Sequence, residues 1–101
     1  MILSKVSVIM AAHNSANFLQ EAIESILRQT YSEFQFLIID DNSTDQTLSI
    51  LDKYTDKRVR VYRNRKKQGL ARSLNYLLRI SSAEFILRQD ADDISTPDRL
   101  E

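Results

Sequence analysis

The chain has no cysteine, so neither a disulfide framework nor a thiolate metal centre is open to it. That suits a reducing compartment, and a cytoplasmic location is the expectation. With one histidine besides, a conventional zinc site is excluded. There is one glycine and one proline, so the turns must rest on Asn, Asp and Ser. A single glycine cannot supply a glycine-rich phosphate loop or a dinucleotide fingerprint. Neither sign of charge dominates: 14 Lys and Arg face 14 Asp and Glu. Bulk charge therefore favours neither nucleic acid nor an anionic membrane as a partner. No apolar run approaches the length of a membrane span, and residues 1–6 lack a signal-peptide layout.

What is present is ordinary for one soluble domain: 101 residues, 43% hydrophobic and 28% charged. Val6 to Ala12 is a short apolar, β-branched run and reads as a strand. After a polar loop at His13-Asn14-Ser15, Phe18, Leu19, Ala22, Ile23, Ile26 and Leu27 fall on one helical stripe. Phe34 to Ile39 is the second strand. Ser43 followed three places on by Gln46 has the form of a capping box, with Leu48, Ile50, Leu51 and Tyr54 marking the helix behind it. Arg58 to Tyr62 alternates like a strand near an edge. A basic loop, Arg63 to Gly69, leads into a helix marked by Leu70, Leu74, Leu77 and Leu78. Glu84 to Gln89 is the fourth strand. Strand–helix alternation predicts an α/β fold, with a mostly parallel sheet of about four strands flanked by helices and right-handed crossovers.

In such sheets ligands bind beyond the carboxyl ends of the strands, where strand order reverses. Three polar groups follow strands here: Ala11-Ala12-His13-Asn14, Asp40-Asp41-Asn42-Ser43 and Asp90-Ala91-Asp92-Asp93. Asp90, Asp92 and Asp93 would repel one another unless neutralised, and a hard divalent cation with carboxylate ligands does that. The same residues also suit a solvated turn that caps the next helix. Asp40 and Asp41 suit acceptance of hydrogen bonds from a base or ribose, and equally a turn. His13 suits a planar stacking or loop role. The run Arg63 to Lys67 reads as a solvated loop or as a neighbour of a diphosphate. Arg72, in the first turn of its helix, is the better anion candidate.

Taken in order, these segments resemble the family 2 nucleotide-sugar glycosyltransferases. The similarity runs from Val6-Ser7-Val8-Ile9-Met10 through His13-Asn14 to Gln29-Thr30-Tyr31 and Ile39-Asp40-Asp41-Asn42-Ser43-Thr44-Asp45. It continues through Gly69-Leu70-Ala71-Arg72-Ser73-Leu74-Asn75 and Asp90-Ala91-Asp92-Asp93-Ile94-Ser95-Thr96-Pro97-Asp98-Arg99-Leu100. The resemblance implies a Rossmann-like GT-A domain that binds a sugar nucleotide, with a UDP-sugar favoured. It implies that Ala11 touches the nucleotide through its backbone, that His13 and Asn14 flank it, and that Asp41 contacts the base beside Asp40. Asp90-Ala91-Asp92 would be the family's DxD motif. Asp92 would hold Mn2+ or Mg2+, and Asp90 would reach the ribose or the metal. The activity implied is inverting transfer, by direct displacement, to a saccharide or lipid-linked acceptor in surface polysaccharide synthesis.

The sequence departs from the family pattern in places. Ala11-Ala12-His13 stands where Pro-Thr-Tyr is frequent, Asn42 replaces a common Gly, and Ala83 stands where Gly is usual. Residues 1–101 are expected to be the nucleotide-sugar-binding half of a longer protein, with the acceptor half and the catalytic base beyond Glu101. Such a piece would bind donor without transferring sugar, and its uncovered apolar surface would favour self-association. The full-length protein is expected in the cytoplasm, at the inner face of the membrane. The alternatives are a receiver-type signalling domain and a non-catalytic α/β binding module. The first needs an acidic pair after its first strand and an Asp after its third, and the sequence has neither.

Overall fold

The computed structural model of the protein describes residues 5–91. Four strands form one sheet: β1 (Val6–Ala12), β2 (Phe34–Asp41), β3 (Val59–Asn64) and β4 (Phe85–Arg88). Their order is β3-β2-β1-β4, and every neighbouring pair is parallel. The connections carry α1 (Leu19–Leu27), the five-residue α2 (Thr47–Leu51) and α3 (Leu70–Ile80). The α/β sheet flanked by helices is therefore as the alternation predicts.

Burial follows strand position. β1 and β2 are central and covered on both faces, so their uninterrupted apolar runs are buried almost throughout. One face packs Val8, Met10, Phe36 and Ile38 against Leu19, Ile23 and Ile26 of α1 and Leu51 of α2. The other packs Ile9, Ala11, Leu37 and Ile39 against Leu77 of α3. Ser7 is buried in β1 on this second face, where its hydroxyl meets Gln35 Oε1 at 3.4 Å and accepts from Ser81 Oγ at 2.9 Å. β3 lies at one edge, as its alternation suggests. β4 forms the other edge and leaves Phe85 63% exposed.

Two local expectations are corrected. Phe18 belongs to the apolar stripe by spacing, yet it precedes the first turn of α1 and is 59% exposed. The core begins at Leu19. The capping box at Ser43 and Gln46 does not form: Ser43 donates its hydroxyl to Asp40, and α2 starts later, at Thr47. Asp45 ties that start instead, accepting from Thr47 N at 2.9 Å. The helix stops at Leu51, and Tyr54 packs on the core from beyond it.

Candidate functional site

The chain steps outward from β1 to β2 to β3, then returns to place β4 on the far side of β1. The order thus reverses between β1 and β4, which is where an open α/β sheet leaves a crevice. A cleft of about 530 Å3 opens there. Its walls include Ala11, His13, Asn14, Asp41, Asp90 and Ala91, all expected site residues from three distant segments. Asp92, the expected metal ligand, lies outside the described residues.

The loop after β1 is held by the loop after β2. Asn14 adopts φ +48°, the left-handed region that Asn tolerates better than most residues. Its side-chain oxygen accepts from Thr44 N at 2.8 Å and Asp45 N at 3.3 Å, while its own N–H donates to Ser43 Oγ at 2.9 Å. Ser15 N donates to Thr47 Oγ1 at 2.8 Å. Asn42 turns at φ +54°, so Asn takes the left-handed place of the family's glycine. His13 is fixed by the same junction: its Nδ1 lies 2.7 Å from the carbonyl oxygen of Asp41. A carbonyl only accepts, so Nδ1 carries the proton in that bond. In the neutral ring Nε2 is then an acceptor, and Asn14 Nδ2 lies 3.4 Å from it. The ring is thereby oriented in the cleft wall.

The acidic pair closes the end of β2. Both Asp40 and Asp41 are fully buried. Asp40 accepts from the hydroxyl and the backbone N–H of Ser43, which is turn chemistry. Asp41 accepts from Asn64 Nδ2 at 3.0 Å, Gln68 N at 2.8 Å and Gly69 N at 2.9 Å. Burial opposes its ionisation, but the bonds from Gln68, Asn64 and Gly69, with the nearby His13, outweigh it and hold its pKa below the ordinary carboxylate value. The Asp41 carboxylate organises the wall of the cleft: it ties the Gln68–Gly69 turn, and with it Lys67 and Leu70, to the end of β2. The physical reason is that a buried carboxylate is costly unless its lone pairs are filled.

Arg72 is exposed on α3 and lines a second cleft with Asn64, Gln68, Ser73, Tyr76 and Arg79. Of the basic run before α3, Lys67 alone lines the main cleft. Sequence reasoning misses Phe18 and Arg88 there. Spacing assigns Phe18 to the core, and Arg88 gives no signal inside a strand pattern.

Asp90 is the exposed carboxylate of the cleft, 3.2 Å from Arg88 Nε in a solvent-open pair. Such pairs contribute little and exchange readily for a better partner. Among the described residues no three Asp, Glu or His side chains cluster as a metal cage. The donor set fits an ion held by one or two carboxylates plus phosphate oxygens, as magnesium-like ions usually are. No helix among the described residues is long and apolar enough to cross a membrane.

A family model described as Glycosyl transferase family 2 matches residues 7–101. The putative glycosyltransferase EpsE of Bacillus subtilis is 44% identical over 100 residues, covering 96% of this chain and 36% of that protein. An Escherichia coli relative, named UDP-Glc:alpha-D-GlcNAc-diphosphoundecaprenol beta-1,3-glucosyltransferase WfgD, is 34% identical over 95% of this chain and 38% of its own length. Among solved structures, S. aureus TarS 1–349 in complex with UDP superposes with a TM-score of 0.88 at 34% identity, over 95% of this chain and 30% of that one. The mannosyltransferase PcManGT from Pyrobaculum calidifontis, in complex with GDP-Man and Mn2+, gives 0.79 at 28% identity, over 87% and 27%. The chain thus spans just over a third of the length of these two curated relatives.

Proposed function

The chain belongs to glycosyl transferase family 2, with a GT-A fold, and from that premise we propose that it is the donor-binding half of an inverting glycosyltransferase. The observation that carries this reading is the convergence of Ala11, His13, Asp41 and Asp90 on one cleft at the strand-order reversal. The ligand is a nucleoside-diphosphate sugar, and UDP is favoured because the UDP-bound neighbour is more similar than the GDP-mannose-bound one.

His13 flanks the base, oriented by the carbonyl of Asp41. Ala11, buried at the end of β1, offers main chain and leaves room for the nucleotide. Asn14 and Asp41 act by positioning, one bracing the loop and the other the Gln68–Gly69 turn. Lys67 and Arg88 give positive charge beside the diphosphate. Asp90 and Asp92 would hold Mn2+ or Mg2+; bound there, the cation neutralises charge on the leaving diphosphate. Transfer forms a bond from an acceptor hydroxyl oxygen to the anomeric carbon as the bond to the diphosphate oxygen breaks. The electron pair leaves with the nucleoside diphosphate, and the hydroxyl proton passes to a carboxylate assigned to the part of the longer protein beyond Glu101.

A saccharide or lipid-linked acceptor in surface polysaccharide synthesis, met at the cytoplasmic face of a membrane, is supported by the diphosphoundecaprenol in one relative's name. The open β4 edge with exposed Phe85 and Ile86 supports cover by the rest of the sheet in the longer protein, and self-association without it.

Calorimetric titration of UDP with and without Mn2+, on the wild type, Asp90→Ala and Asp92→Ala, tests the reading. Mn2+-dependent binding that Asp92→Ala weakens is expected. Absence of UDP binding by a folded chain with Mn2+ present defeats it, and binding indifferent to Asp92→Ala removes that residue from the metal site.

A further inference from the structure

The main cleft draws on both faces of the sheet. Ala11 packs on the face that α3 covers, and Asp41 follows Ile39 of that face by two residues. Arg88 pairs in register with Ile9 of the same face. Lys67 and Leu70 flank the turn that Asp41 ties. The nucleoside side of the cleft is therefore the α3 side. The opposite side is built differently. Ala91 joins the apolar cluster of Leu19 and Ile23, on the face that α1 covers. Phe18, next to Leu19 in the chain, lines the cleft from there.

Phe18 is 59% exposed, so it adds little to the core. Its main chain is nevertheless held from both directions. Its N–H donates to the Ser15 carbonyl oxygen at 3.1 Å, and its own carbonyl accepts from Ala22 N at 3.2 Å. Ser15 N and Ala16 N donate in turn to Thr47 Oγ1 at 2.8 Å and Asp45 Oδ2 at 3.3 Å. A phenyl ring is thus presented to the cleft from a fixed backbone, a surface that needs little ordering on binding. Among the described residues lining the cleft, the other ring is His13, which the Asp41 carbonyl holds on the nucleoside side.

We propose that Phe18 is the platform for the apolar face of the donor's sugar. The inference rests on the donor reading and extends it past the nucleotide. A diphosphate beside Asp90 lies at the gap between β1 and β4, where the two sides of the cleft meet. With the nucleoside on the α3 side, the group at the other end of the diphosphate reaches the α1 side, where Phe18 stands. A hexose ring carries C–H bonds on its faces and hydroxyls around its rim. The negative face of a phenyl ring attracts such C–H bonds, and stacking removes apolar area of both partners from water.

The chain contains no tryptophan, so Phe18→Trp places a single indole reporter at the site and keeps an aromatic platform. Calorimetry with Mn2+ compares UDP with the tightest binder among UDP-glucose, UDP-galactose and UDP-N-acetylglucosamine. Phe18→Ala should weaken the UDP-sugar about 10-fold, the loss expected from uncovering most of a phenyl ring, and leave UDP unchanged. Phe18→Leu, apolar without a ring, should recover part of that loss. Phe18→Trp should retain UDP-sugar affinity, and its emission should move to shorter wavelength with the UDP-sugar but not with UDP. The inference is overturned by equal losses for UDP and UDP-sugar in Phe18→Ala, or by an indole that responds as strongly to UDP alone. It is overturned equally by no loss and no response, the result if the rest of the longer protein covers this ring. Wild-type UDP binding separates the two readings: its absence from a folded chain defeats both, whereas any of the other outcomes defeats this one and leaves the donor reading standing.

Discussion

Replacing Asp41 by Asn changes almost no volume and removes one charge, so its effect isolates what the buried carboxylate does. One oxygen accepts from Asn64 Nδ2 and Gln68 N, and the other accepts from Gly69 N. An amide keeps its carbonyl toward the first pair and turns an NH2 against the Gly69 N–H. One hydrogen bond to a charged group is then lost, at about 1.5–3 kcal/mol. The two retained bonds weaken from charged to neutral acceptors, adding roughly 1 kcal/mol. A total of about 3 kcal/mol corresponds to a melting temperature lower by roughly 12–24 °C for a domain of this size.

The pH dependence is the sharper check. The folded-state pKa of Asp41 lies below its ordinary value, which in the unfolded chain is about 3.9. Its stabilisation is therefore complete above the unfolded pKa and is lost as pH falls through the folded one. Asp45, bonded first by the Thr47 hydroxyl, and Asp56, bonded first by Arg58, are depressed in the same direction. Both are common to wild type and variant and cancel in the difference. Urea denaturation followed by circular dichroism at pH 7 and at successively lower pH should show a constant gap above roughly pH 5 that narrows below roughly pH 4. A gap under about 0.5 kcal/mol at pH 7, the range of an ordinary surface substitution, would refute the reasoning. A gap that does not change with pH would refute it equally.

Gly69 has φ +90°, and no atom lies within 4 Å of where a Cβ would stand, so Gly69→Ala should cost backbone strain alone, about 1–3 kcal/mol; a neutral result in urea titration would remove the strain argument. At Asn14, Ala loses the carboxamide bonds and retains the φ +48° strain, whereas Gly loses only the bonds. Thermal melts should therefore rank Asn14→Gly above Asn14→Ala by about 1 kcal/mol, and the reverse order would contradict the assignment. Phe18→Ala should stay within about 0.5 kcal/mol of wild type while Leu19→Ala loses about 2–5, and comparable losses would return Phe18 to the core.

Much of the architecture is legible in the residues because burial writes itself into periodicity. The apolar runs of Val6–Ala12 and Phe34–Ile39 announce central strands, and the alternation at Arg58–Tyr62 announces an edge. The order of motifs, from His13-Asn14 through Asp40-Asp41 to Asp90-Ala91, suffices to point to one family, because each depends on residue type at a fixed place after a strand. Side-chain direction is not legible, since it depends on partners distant in sequence. Spacing puts Phe18 in the core, but the helix begins one residue too late for that. Residue type marks Asp41 as a hydrogen-bond acceptor, but Asn64, Gln68 and Gly69 reach it only once β3 and α3 are in place. Helix position marks Arg72 as an anion candidate, but that it shares a cleft with Asn64 and Gln68 follows only from the fold. Composition reports no net charge, and only the fold separates Lys67, in the main cleft, from Arg72 and Arg79, in another. The sequence by itself determined which segments form the sheet and which family the chain resembles, because those follow from local pattern. The tertiary structure decided which carboxylate is buried and which is open and which cation lines which cleft, because burial and electrostatics depend on what the fold brings into contact.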